Sequence, residues 1–130
     1  MAETIPVLAR SEAKILRHCD YYDYPRSGEV DWRGKRYWFQ ETDVDEVFRL
    51  LDLSDEQWQY QDERTAAFNE HVGEYEVYVD GRRRQDRSKL KPIDEWSKYY
   101  QDERWKIGRR ETFADRPVVA MWDWRESARG

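Results

Sequence analysis

The chain is short of the aliphatic residues that fill most protein cores and long on the bulkiest aromatic ones. Leu, Ile, Val and Phe together make 23 of its 130 residues, below the roughly 20% at which disorder becomes an alternative to folding. Seven Trp and nine Tyr reverse that inference, because each ring buries on the order of 150–250 Å². A net charge of −5 is too mild to hold the chain open. The expectation is a single α+β domain over residues 1–130, with a core of rings, a very polar surface, and residues 1–10 as a loosely held arm around Pro6.

Several function classes are disfavoured. No run approaches the ~18 apolar residues that span a bilayer, and the N-terminus lacks the basic-then-apolar order of a secretory signal. A cytoplasmic protein without a membrane partner is the expectation. Cys19 is the one cysteine, which rules out an intrachain disulfide and, with two His, leaves poor material for a zinc centre. The glycines stand singly at 28, 34, 73, 81, 108 and 130, never in the frame of a phosphate-binding loop or dinucleotide fingerprint. Neither a metal nor another cofactor is expected.

Those glycines divide the chain into elements. Residues 14–22 interleave apolar residues with charge and read as a strand. Residues 29–32 and 35–42 alternate around Arg33-Gly34, the pattern of a β-hairpin. Residues 46–53 continue the meander as a third strand, and Pro25-Arg26-Ser27-Gly28 reads as a turn. The period then changes. Ser54 stands three residues before Gln57 in a capping-box spacing, ahead of a helix expected over about 55–72 and ended by Gly73. A short strand over 75–79 precedes the Asp80-Gly81 turn, and a second helix is expected over about 93–107. Residues 117–124 contain an unbroken apolar run, the mark of a buried C-terminal strand. The fold expected is a mostly antiparallel sheet packed with two helices. The pentapeptide Tyr-Gln-Asp-Glu-Arg occurs at 60–64 and again at 100–104; the flanking residues do not align, so it reads as coincidence rather than duplication.

Charge is the most usable functional signal. Residues 41–81 hold thirteen acids against Arg49 and Arg64, whereas 82–91 hold six bases against Asp86. The basic run reads as a solvated loop able to meet an acidic protein or, less favourably, a nucleic acid, since the sequence pI is about 5.2. Carboxylates at 41–46 lack the spacing of a calcium loop. His18 and Cys19, adjacent on a strand, point to opposite faces and do not form a nucleophile and base pair. Trp32 and Trp38 sit on neighbouring strands and read as core, with a cross-strand pair or stacking surface as the alternative.

No catalytic residue stands out. The expected function is a non-enzymatic macromolecule-binding domain, of inhibitor, immunity or adaptor type, that meets a protein through an acidic and aromatic surface. The contact residues expected are Tyr22, Tyr24, Arg26, Asp43, Asp45 and Glu46, with Arg82, Arg84 and Arg87 in the basic run. Two alternatives stand beside it: a small hydrolase or transferase built from carboxylate, Tyr and His, and a nucleic-acid contact through 82–91.

Overall fold

A computed structural model describes residues 4–110, 113 and 115–127; the side chains of 20–22, 107–110, 126 and 127 fall outside the description. Contacts divide the chain into two compact units, Met1–Asp52 with Tyr78–Arg82 and Arg116–Gly130, and Leu53–Val77 with Arg83–Asp115. The architecture is α+β, with a mixed six-stranded sheet, a two-stranded sheet and short helices.

The first unit holds the large sheet. Its strands are β1 (Val7–Ala9), β2 (Lys14–Tyr22), β3 (Tyr24–Trp32), β4 (Lys35–Glu41), β5 (Val47–Leu51) and β8 (Val118–Asp123), in the spatial order β1-β8-β5-β4-β3-β2. The β2 to β5 meander follows from the hairpin patterning, with Arg33 (φ 57) and Gly34 (φ 78) forming the tight turn between β3 and β4. The C-terminal strand lies inside the sheet as expected, between β1 and β5.

The arm expected at 1–10 is not loose over its described part. β1 pairs in parallel with β8, Val7 opposite Met121 and Ala9 opposite Asp123. The other adjacent pairs of the sheet are all antiparallel, so β1 and β2 run the same way at opposite edges. Residues 10–13 alone join them, a reach of at most about 18 Å even when extended, and three of the four are wound into a 3-10 turn. A flat sheet of this many strands would hold its edges about 24 Å apart. The sheet therefore curls, and β1 with β2 acts as one interrupted strand that serves both edges.

The inside of that curl is the aromatic core. Trp32, Phe39, Phe48, Trp122 and Trp124 are buried together with Leu8, Ile15, Val30, Leu50 and Ala120. Phe39 meets Phe48 and Trp122 edge-on at 5.4 and 5.6 Å, and Trp122 meets Trp124 at 5.3 Å, the geometry that ring quadrupoles favour. The indole N–H of Trp122 donates to the carbonyls of Ala9 (3.1 Å) and Arg10 (3.2 Å), tying the 3-10 turn to the core. Trp32 and Trp38 are both buried, but the register sets Trp32 opposite Lys35 and Trp38 opposite Glu29. They make no cross-strand pair; Trp32 packs on Tyr37.

Pro25-Arg26-Ser27-Gly28 is likewise not a turn. It lies within β3, and the reversal falls one residue before Tyr24, at Asp23, whose φ is 67. The pairing of β2 with β3 is irregular between Asp20 and Tyr21, and such a bulge near a strand start tolerates the missing proline N–H.

In the second unit, α1 (Asp55–His71) starts at the expected capping box. Gln57 N–H donates to Ser54 Oγ at 3.2 Å and Ser54 N–H to Gln57 Oε1 at 3.0 Å. The second expected helix is broken into α2 (Ile93–Trp96), a 3-10 turn over Tyr99–Gln101, and α3 (Glu103–Arg110). The break has a local cause: Asp102 is extended, and its carboxylate accepts the Arg104 N–H at 2.9 Å, capping α3 instead of continuing a helix. Tyr99 from this broken stretch is buried against Ala67 and Val72, with Phe68, Tyr75, Leu90, Trp96 and Trp105 around them. Strands β6 (Glu76–Val79) and β7 (Arg82–Gln85) form the small sheet through Asp80 (φ 53) and Gly81 (φ 77). The expected loop at 82–91 thus begins as a strand. Among the described residues no helix is long and apolar enough to cross a membrane.

Candidate functional site

Tyr24, Arg26, Asp45 and Glu46 come together at the end of the β3-β4-β5 meander. Counting back from the Arg33-Gly34 turn, Ser27 lies opposite Gln40, which sets Arg26 beside Glu41 on the neighbouring strand. Arg26 Nη1 donates to Glu41 Oε1 at 2.6 Å and to the Tyr24 hydroxyl, while its guanidinium lies 3.9 Å over the Tyr24 ring. The hydroxyl in turn donates to Glu41 Oε2 and accepts the Glu46 N–H at 3.1 Å. The oxygen's one proton and both lone pairs are thereby used. The ring itself rests on Phe48 and Trp124 of the core.

This platform fixes the loop that joins β4 to β5. Thr42 N–H donates to Val47 O (2.8 Å), Val44 N–H to Thr42 Oγ1 (3.1 Å), and Val47 N–H to Val44 O (3.1 Å). Glu46 closes the loop with φ 65, a left-handed conformation that non-glycine residues adopt only when the surroundings enforce it. Its carbonyl accepts the Trp124 N–H at 2.9 Å. The amides at 42, 44, 46 and 47 are thus all engaged. What remains outward is the tip: Val44 is 47% exposed, Asp43 is exposed, and the Asp45 side chain is 89% exposed with its carboxylate 4.0 Å from Arg26.

The electrostatics match the geometry. Burial pushes the Glu41 carboxyl up, but hydrogen bonds from Tyr24, Arg26 and the Glu46 amide outweigh it and leave the group below its ordinary range. Burial and the neighbouring Glu41 push the Tyr24 phenol up, so it stays a protonated donor. The hydrogen bond to Glu41 holds the Arg26 guanidinium more firmly charged.

The other expected contacts lie elsewhere. Arg82 and Arg84 are exposed on β7, and Arg87 is exposed at the start of the following 3-10 turn. Tyr22 ends β2 opposite Tyr24, and its side chain lies outside the described residues. Glu41 and Val44 were not among the expected contacts. The hairpin register would have placed Glu41, but the supposed turn at 25–28 hid it. His18 and Cys19 are half-buried, and His18 packs edge-on to Tyr78 at 5.4 Å.

A second polar cluster lies in the second unit. Glu70, His71 and Asp102 bring one ligand atom each within 4.8 Å. His71 Nε2 lies 3.0 Å from Asp102 Oδ2. Arg104 already occupies the cluster, donating to Asp102 Oδ2 at 2.8 Å and also to Glu70. It holds the Asp102 carboxyl well below the usual range against the opposing effect of burial. Arg104 thus already pairs with both carboxylates of the cluster, which joins the end of α1 to the cap of α3. No protein-family model, curated protein or solved structure matches the chain.

Proposed function

We propose that this protein is a non-enzymatic binding domain of inhibitor, immunity or adaptor type, and that its 42–46 loop engages a protein partner. The supporting observation is the contrast between a tip that faces solvent and a backbone whose amides at 42, 44, 46 and 47 are held. An exposed aliphatic side chain between two exposed carboxylates suits a partner surface with an apolar dimple flanked by basic residues. Fixing the loop in advance removes an ordering cost of about 1–2 kcal/mol per residue that a flexible loop would meet on binding. The Tyr24, Arg26 and Glu41 side chains are the scaffold in this reading; Asp43, Val44 and Asp45 are the contacts.

Capture of cross-linked partners from the native source, with the intact chain as bait, tests it. The wild-type chain should recover one reproducible protein, and D43K/D45K should lose it while keeping its circular dichroism spectrum. Capture unchanged by D43K/D45K, or no reproducible partner, would contradict the proposal.

A further inference from the structure

Acids outnumber bases in this chain, 28 to 23, so there is no shortage of carboxylates for its cations. Most described cations have found a partner within the fold. Arg26 is bound to Glu41, Arg36 to Glu29, Arg83 to Glu76, and Arg125 to Asp123. Among those that make no ion pair are Arg84, Arg87, Lys89 and Lys91: all four are exposed, and among the described residues their charged ends make no salt bridge, ring contact or hydrogen bond, although Lys89 acts through space on the Asp86 carboxylate and Arg87 on Tyr75.

Nor is their segment a loose tail. Asp86 N–H donates to Tyr75 O (2.7 Å), Leu90 N–H to Arg87 O (3.2 Å), and Lys91 N–H to Val72 O (2.8 Å). The Asp86 carboxylate turns inward on the segment's own backbone, accepting the Ser88 N–H at 3.1 Å. Gly73, with φ 108, comes so close to Lys89 that a Cβ there would lie 2.2 Å from the Lys89 carbonyl oxygen. The chain thus holds an ordered basic ridge along residues 84–91, in which Arg84, Arg87, Lys89 and Lys91 make no ion pair among the described residues.

We infer that this ridge is a docking surface for the phosphodiester backbone of a nucleic acid. Residues 82–89 include no apolar side chain, whereas the centre of a protein–protein interface is depleted of charge and enriched in aromatic and apolar groups. A polyphosphate needs no such centre. Arginine forks match phosphate oxygens, and each phosphate neutralised releases condensed counterions. The surface is separate in sequence from the 42–46 loop, and the inference does not depend on the protein partner proposed above.

Fluorescence anisotropy with a labelled mixed-sequence oligonucleotide, as a single strand and as its duplex, tests it on the full chain. Four phosphates contacted give a slope of log K against log salt of about −3.6 on the duplex and about −2.8 on the single strand. The variant R84A/R87A/K89A/K91A should bind about tenfold or more weakly at low salt and flatten that slope. K14A/R33A/K35A/K98A removes equal charge elsewhere and should keep the wild-type slope, with circular dichroism checking both folds. Absence of binding to either oligonucleotide at about 50 mM salt would overturn the inference, as would equal loss in the two variants. Competition by poly-glutamate as effective as that by the oligonucleotide would overturn it in favour of an acidic protein.

Discussion

A single hydroxyl carries much of the candidate site. Tyr24 joins the ring core to the loop: its ring packs against Phe48 and Trp124, and its oxygen links Arg26, Glu41 and the Glu46 amide. Y24F keeps the ring and removes the oxygen, so it should cost about 1 kcal/mol in urea denaturation. The same site has a pH signature. Glu41 titrates below its ordinary range in the folded chain, so its contribution to stability is fully present above that range and is lost as pH falls through the lowered value. E41Q should therefore show a flatter decline of stability in acid than the wild-type chain. Equal acid limbs in the two proteins would place Glu41 outside the linkage.

Elements were legible where a pattern stayed local. The Arg33-Gly34 hairpin and the Ser54 capping box depend on residues close in sequence, and both form as their spacing implies. What was hidden depends on distant partners. β1 is a strand because β8 offers it an edge, and three residues at the N-terminus cannot announce that. The repeated pentapeptide makes the same point. At 60–64 it lies within α1, but at 100–104 it breaks at Asp102, whose carboxylate caps α3 and meets His71. The candidate site was half visible: Tyr24, Arg26, Asp45 and Glu46 were expected contacts, whereas Glu41 required the register that a supposed turn at Pro25 concealed. Close approach between strands gives a test at this scale. A Cβ at Gly28 would stand 2.1 Å from Arg17 O, while Gly34 has open space around it. G28A should cost about 2–3 kcal/mol and G34A, strained only by its φ of 78, about 1 kcal/mol. Similar losses would contradict the close β2-β3 approach.

At the scale of the molecule, rings take the part usually played by aliphatic side chains, and the polar surface is free to specialise. Trp122, 1% exposed, anchors the 3-10 turn between the sheet's two edge strands through its N–H. The Tyr24 platform, seated on the same core, transmits that rigidity to a solvent-facing loop. The binding role proposed for the loop stands on that rigidity more than on its charge, because a floppy acidic loop would be ordinary surface. Backbone ¹⁵N relaxation over the whole chain reads it directly. Residues 42–46 should show order parameters near those of the flanking strands, about 0.85. Values below about 0.6 at Val44 and Asp45, the range of a freely moving loop, would contradict the preformed tip.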